Sequence, residues 1–270
     1  MRTIVPILAY HSVSDASRHG SNEFTVTPQQ LADHLDYIAH QGYTALRVSD
    51  FAETVESCKP LPSRPILLTF DDGYADFYSD ALPLLAARGY ASTLYMITGQ
   101  VLDNRSLSNQ RPRFLSWAEL REIDAAGVEI GSHSETHPQL DVLTHAHAHA
   151  EIQTSKAVLQ AQLGHDVRSF AYPYGYHGPA VRRLVIAAGY RSACAVKEAL
   201  SASDDDIYAL SRILIRADTR VPQLHALLTG GKLRVAPTGE QLATRGWRYV
   251  RRSTAILDRA LAKRRAARAS

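Results

Sequence analysis

Asp71 and Asp72 close an apolar run, Ile66-Leu67-Leu68-Thr69-Phe70, at a Gly73 turn, and further along the chain His133 and His137 lie in Gly-Ser-His-Ser-Glu-Thr-His-Pro. Two imidazoles four residues apart plus one carboxylate supply three N/N/O ligands, a set suited to a catalytic divalent metal that keeps a position open for water. The second carboxylate is then available for proton transfer, which turns a metal site into a candidate hydrolase. Each feature also has a plain structural reading. Aspartates before a glycine form turns, and a His-x-x-x-His pair on a helix is often a solvated face. Here the pair follows the strand-like Val128-Glu129-Ile130-Gly131, which favours the ligand reading. His145, His147 and His149 alternate with alanine; residues two apart on a helix do not face one another, so these three read as surface.

The elements that position these residues follow from the hydrophobic pattern. An apolar run bounded by turn residues reads as a buried strand, and carboxylates at its C-terminal end open onto the face where parallel-sheet and barrel enzymes build their sites. Strands are expected at Ile4 to Tyr10, Tyr43 to Leu46, Ile66 to Phe70, Ser92 to Ile97, Val128 to Gly131, Val167 to Tyr172, Arg191 to Val196 and Ile213 to Arg216. Helices are expected between them: Thr27 to Gln41, Tyr74 to Arg88, Ser116 to Ala126, Thr144 to Leu163, Pro179 to Ala188 and Val221 to Leu228. The alternation predicts an α/β fold, with barrel and wound sheet both open.

A chain of 270 residues with 45% hydrophobic content is an ordinary length for one such domain. Residues 1–230 read as that domain and 231–270 as a tail. The tail carries 11 Lys and Arg against Glu240 and Asp258, a formal +9, which leaves −6 for the rest of the +3 chain. Trp247, Val250, Leu257 and Leu261 recur there at helical spacing with Arg248, Arg251, Arg252, Arg259 and Lys263 largely elsewhere, predicting a basic amphipathic helix. A helix docked on the domain is the first reading, and peripheral contact with an anionic membrane face the second. Nucleic acid is not expected, because no recognition motif or aromatic interleaving accompanies the charge. Cys58 and Cys194 are too few for a disulfide scaffold. No apolar stretch approaches the roughly 18 residues of a spanning helix, and Met1 runs almost directly into the first strand, so a cytoplasmic location is expected.

Three motifs carry a resemblance to a known family. Thr69-Phe70-Asp71-Asp72-Gly73, His133-Ser134-Glu135-Thr136-His137 and Phe170-Ala171-Tyr172-Pro173-Tyr174-Gly175 stand in the order and spacing of the polysaccharide deacetylases, the NodB-homology or carbohydrate esterase family 4 enzymes. The opening Tyr10-His11-Ser12-Val13 and the run from Leu115-Ser116-Trp117 to Gly131 are similar too, so the resemblance covers roughly residues 4 to 230. It implies a distorted (β/α)7 barrel and metal-dependent removal of acetyl groups from N-acetylated, less often O-acetylated, sugars. It further implies that Asp72, His133 and His137 hold the metal and that Asp71 is the general base. The backbone N–H of Tyr174 would hold the oxyanion, Tyr172, Pro173 and Tyr174 would shape the sugar pocket, and Gly175 would let the loop turn sharply.

The chain departs from the family pattern at two roles. Many members place an arginine that steadies the catalytic aspartate where this chain has Ala171, so Arg168 and Arg212 become the candidates for that task. The family's general acid sits in a Leu-x-His motif; here Leu224-His225 adjoin within an expected helix, which makes His225 a surface or packing residue. His11, at the end of the first strand, is the better-placed candidate to protonate the leaving amine. The main expectation is a zinc-dependent N-deacetylase, with cobalt, nickel or iron also compatible with the ligands. The alternatives are a hydrolase of a non-sugar amide or cyclic imide on the same barrel, and a non-catalytic carbohydrate-binding relative.

Overall fold

Strand residues alternate between two cores, and this alternation organises the molecule. In the computed structural model, which describes residues 2–15, 23–102 and 113–229 together with Val235, Gly246, Val250, Arg251 and Thr254, the strands are β1 (Ile4–Val5), β2 (Ile7–Tyr10), β3 (Ser12–Val13), β4 (Thr25–Val26), β5 (Thr44–Leu46), β6 (Pro65–Phe70), β7 (Thr93–Met96), β8 (Glu129–Ser132), β9 (Ser169–Ala171), β10 (Ser192–Cys194), β11 (Ser201–Ala202) and β12 (Ile213–Leu214). The helices are α1 (Pro28–His40), α2 (Val48–Glu56), α3 (Leu82–Ala86), α4 (Trp117–Ala125), α5 (His145–Leu163), α6 (Pro179–Ala187) and α7 (Val221–Leu228).

The main sheet runs β10-β9-β8-β7-β6-β2-β12, with every pairing parallel, and β5 joins the first half of β6 at Pro65 to Leu67. It curls, so that successive residues face either its hollow or the surrounding helices. Ile7, Leu67, Tyr95, Ala171 and Cys194 fill the hollow. Their neighbours Leu8, Leu68, Leu94, Phe170 and Ala193 join the outer core under the helices. Both faces are covered, which is why β6 is buried at all six positions and reads as a continuous apolar run rather than an alternating one. Val48 and Phe51 of α2 pack into the inner cluster. The seam beyond β10 is spanned by Leu210 to Arg212: the Ala195 N–H donates to Leu210 O at 2.7 Å, and Arg212 Nε donates to Ala195 O at 3.2 Å.

The expected α/β barrel architecture is present, as a curled seven-stranded half-barrel. The expected first strand divides at Pro6, whose ring nitrogen cannot donate to a ladder, and β1 pairs instead with β11. The helix expected over Tyr74 to Arg88 begins as a π turn, Phe77–Ala81, before continuing as α3. Pro83 supplies no N–H to the carbonyl one turn back, which favours the wider turn. Helix α2 has no counterpart in the sequence reading, although Val48, Phe51, Ala52 and Val55 do follow helical spacing. The basic amphipathic helix expected over the tail lies largely outside the described residues. Among the described residues no helix is long and apolar enough to cross a membrane.

Candidate functional site

Asp71 follows β6 by one residue and continues the inward row of Leu67 and Thr69. Its N–H donates to Tyr10 O at 2.9 Å, which fixes it at the top of the half-barrel. Asp72 then turns outward at φ 72° and Gly73 at φ 80°, where a side chain on Gly73 would strike Met96. On the facing strand, the His133 N–H donates to Met96 O at 2.8 Å and continues the line of β8. The chain then reverses through Ser134 at φ 67°, whose Oγ accepts the His137 N–H at 3.0 Å. Glu151 of α5 accepts the N–H groups of Glu135 and Thr136 at 3.0 and 2.8 Å and the Thr136 hydroxyl at 2.6 Å. This loop, not a helix, brings His137 back over His133, with the rings 4.7 Å apart. Pro138 reinforces the choice by keeping residue 137 out of the right-handed helical region.

Backbone strain concentrates at the same place. Six non-glycine residues among the described ones have positive φ, and four of them are Asp72, Ser134, His137 and Tyr174. Each such residue costs on the order of 1–3 kcal/mol and persists only where its surroundings over-determine it. Strain therefore marks the site independently of the side chains.

Asp72, His133 and His137 converge so that one ligand atom from each lies within 4.8 Å of the other two. The two Nε2 atoms are 3.2 Å apart, and each is 3.7 Å from Asp72 Oδ1. Ligands about 2.0–2.2 Å from a tetrahedral zinc lie roughly 3.3–3.5 Å from one another, so the separations fit. The donor set fits as well. His133 Nδ1 lies 2.7 Å from Ala171 O, and because a carbonyl only accepts, the proton sits on Nδ1 and Nε2 presents a lone pair. Burial pushes His133 down to about 3 and lowers His137, so both imidazoles are neutral near pH 7. Burial pushes Asp72 up to about 6 against the opposing pull of His11, and its Oδ1 is buried without a hydrogen-bond partner. Lone pairs gathered this way are unfavourable until a cation joins them.

Asp71, only 3% exposed, is the one member held by a full ion pair. Arg212 NH1 and NH2 donate to its two carboxylate oxygens at 2.6 and 2.7 Å, and NH1 also reaches Thr69 Oγ1 at 3.2 Å. Burial pushes the Asp71 carboxyl up, but the Arg212 guanidinium and neighbouring His133 outweigh it and hold the group well below the usual carboxylate range. Its Oδ2 is 3.8 Å from His133 Nε2, so an ionised carboxylate stands beside the ligand cluster without belonging to it.

The remaining expected residues divide. His11 is half-buried, stacks on Phe24 at 5.0 Å, and is close enough to bias both carboxylates electrostatically. Tyr174 is 54% exposed at φ 58°, with its ring 4.7 Å from that of His137. Gly175 turns at φ 70° beneath it, where a Cβ would come within 2.4 Å of Val196 N, and Pro173 is buried in the same turn. Tyr172 corrects the expectation of a pocket wall: it is fully buried, donates to Tyr208 O at 3.0 Å and stacks on His177. It follows the hollow-facing Ala171 and so lies in the outer core under the helices. Arg168 is also corrected. It precedes β9, at the opposite end of the strands, where it lies 3.6 Å from Glu53 and lines a polar cleft with Arg47 and Glu129. Arg212 alone of the two reaches Asp71. His225 belongs to the α1–α7 packing, with Nδ1 2.6 Å from the Tyr37 hydroxyl. His145, His147 and His149 are exposed on α5. Glu151, and the Tyr74 hydroxyl that bonds Asp72, carried no sequence signal; only the fold brings them to the site.

This site sits on a scaffold with known relatives. Residues 59–193, half of the chain, match the family described as polysaccharide deacetylase, and the chain belongs to that family. It is 26% identical over 211 residues to the YxkH protein of Bacillus subtilis (strain 168), covering 78% of this chain and 71% of that one. It is also 26% identical over 136 residues to the poly-beta-1,6-N-acetyl-D-glucosamine N-deacetylase of Escherichia coli (strain K12), 47% of this chain but only 20% of that protein. Among solved structures, the Streptococcus pyogenes deacetylase PplD in complex with acetate superposes with a TM-score of 0.75 at 22% identity, over 84% of this chain and 99% of that one. IcaB from Ammonifex degensii does so at 0.70 and 23%, over 83% and 97%. Identities this low establish the shared fold.

Proposed function

We propose that the protein hydrolyses the acetamide of an N-acetylated sugar, releasing acetate and the free amine. The observation that carries this reading is the pairing of an ionised, arginine-held carboxylate with a three-ligand N/N/O cluster 3.8 Å away. A binding module has no use for a charged base beside metal ligands. The N-acetyl sugar class is supported by family membership and by the E. coli relative, whose name gives poly-N-acetylglucosamine as its substrate.

The residues divide the work by position. Asp72, His133 and His137 would hold a divalent cation, for which zinc fits the donors and cobalt, nickel or iron are compatible. Such an ion supplies Lewis acidity toward the acetyl carbonyl and lowers the pKa of water toward 7. Asp71 takes the proton from the attacking water, and Arg212 keeps both of its oxygens aligned and unprotonated. Tyr174, held in a strained turn at the open rim, would present its backbone N–H to the developing oxyanion and its ring to the sugar. His11, close enough to bias both carboxylates, would return a proton to the departing amine.

The direct test measures acetate release from N-acetylglucosamine oligomers and lipid-linked N-acetylated sugars, with and without a chelator. Loss of turnover on chelation and in Asp71→Asn is expected. Cleavage of a cyclic imide that survives chelation would move the reading to a metal-independent amidohydrolase, and tight sugar binding without turnover would move it to a binding protein.

A further inference from the structure

The tail is tied to the rim of the site by one buried arginine. Arg251, 8% exposed, donates from NH2 to Oδ2 of Asp141, which is itself 1% exposed. Its guanidinium also lies over the Tyr176 ring, 3.7 Å from the centroid. Both partners belong to the loops that build the site. Asp141 lies in the Leu140–Val142 turn, which continues directly from His137, and Tyr176 stands two residues after Tyr174.

The contacts close a ring. The His137 imidazole lies 4.7 Å from the Tyr174 ring, Tyr174 stacks on Tyr176 at 6.2 Å with 21° between planes, Tyr176 carries Arg251, and Arg251 holds Asp141. From Asp141 the chain returns to His137. Helix α6, which follows Tyr176, packs against the same Leu140–Val142 turn. Two residues in this ring, His137 and Tyr174, sit at positive φ and relax unless held. A guanidinium that stacks on one loop and forms a charged hydrogen bond with the other is suited to holding them at a set distance, because its plane and its N–H fork act in different directions.

We propose that Arg251 is a positioning residue of the metal site, clamping the His137 loop to the Tyr174 loop from outside the barrel. The inference rests on the ligand reading of His137, and it gives the tail a role in the site. Residue 251 lies beyond the segment matched by the family, 59–193.

Zinc affinity of the full chain, measured by titration without substrate, tests the clamp. Replacing a residue that supports a metal ligand weakens binding about 10–100-fold. Arg251 acts through intervening rings, so Arg251→Ala is expected at the lower limit, about tenfold weaker. Asp141→Asn should show a similar loss, and the double variant little more than either alone, because one contact is removed in all three. Arg251→Lys, which keeps the charge but not the planar stack, should recover part of the affinity and covers the case in which the alanine variant does not fold. In turnover, KM and kcat should both worsen, since Tyr174 contacts substrate while His137 holds the metal. Wild-type zinc affinity in folded Arg251→Ala or Arg251→Lys, with only a lowered melting temperature, overturns the proposal and leaves the site reading intact. Absence of zinc binding in the wild type overturns the site reading and this proposal with it.

Discussion

Replacing Arg212 with methionine tests the reasoning most severely, because that side chain is asked to do two separable things. It is fully buried and forked onto Asp71, itself 3% exposed, at 2.6 and 2.7 Å. Removing one partner of such a pair leaves an uncompensated buried charge, which costs about 3–5 kcal/mol, a fifth or more of a stability that is typically about 5–15 kcal/mol. The sign with pH follows from the wild-type shift. Arg212 holds the Asp71 pKa below its unfolded value, so the pair contributes stability above the unfolded value of about 4 and loses it as pH falls through the folded one. Without the guanidinium, burial is the dominant influence and the Asp71 pKa rises above the usual carboxylate range, so Arg212→Met should be least stable relative to wild type near neutrality and recover toward acid. The same rise protonates the proposed base, so kcat/KM should fall by about 10²–10⁴ and its acid limb should move to higher pH. Urea unfolding at about pH 5 and pH 8, with a pH profile of acetate release, measures both effects. The double variant Asp71→Leu with Arg212→Met should regain stability with no activity, since a buried ion pair is replaceable by packed apolar groups but a base is not. An acid limb that stays in place in a folded Arg212→Met would refute the assignment of Asp71 as base, whatever the stability.

Other expectations follow from neighbouring features. Glu151→Gln keeps size but loses the charge that accepts two backbone N–H groups and a hydroxyl; stability should drop by about 1–3 kcal/mol in thermal unfolding, and metal affinity should fall with it because the His137 loop loosens. Gly175→Ala places a Cβ 2.4 Å from Val196 N, at a φ of 70°; a loss of about 1–3 kcal/mol and reduced turnover are expected, with unchanged melting as the contrary result. The hydrogen bond to Asp124 raises the His165 pKa, so this exposed pair contributes stability below the unfolded value near 6.5 and loses it as pH rises through the folded one; Asp124→Asn should flatten that dependence in pH-dependent melts. The basic tail predicts that the full chain sediments with anionic but not neutral vesicles, and less so as salt is raised; equal recovery with both vesicle types would remove the membrane reading.

How much of this was legible in the sequence depends on whether function and local pattern coincide. Strand β6 and its two aspartates were readable because a strand buried on both faces must be apolar throughout, so charge at its end stands out. The convergence of His133 and His137 was legible because a strand-like run, rather than a polar helix, precedes them. Tyr172 misled for a physical reason: the same tyrosine-rich turn holds one ring in the helix-facing core and one in solvent, and the sequence does not announce where the strand alternation ends. Helix α2 escaped because Arg47 at its N-terminus makes no side-chain cap, leaving only a short apolar repeat.

Arg212 shows the deeper limit. Nothing near Ala171 in the sequence indicates where the missing guanidinium comes from, and Arg168 is the nearer candidate along the chain. Distance in a curled sheet is set by strand order instead. Arg168 adjoins β9, three strands from β6, and turns to Glu53, whereas residue 212 adjoins β12, beside the β2 strand that pairs with β6, and reaches Asp71. The segment that spans the seam pairs with β10 at Leu210, which lies in the hollow, while Ile213 lies in the outer core, so residue 212 shares the hollow-facing row, and there the guanidinium donates to Ala195 O, Thr69 Oγ1 and both oxygens of Asp71. A buried cation needs that many acceptors. The hollow holds alanine at 171, and the guanidinium that satisfies the carboxylate comes from the seam instead.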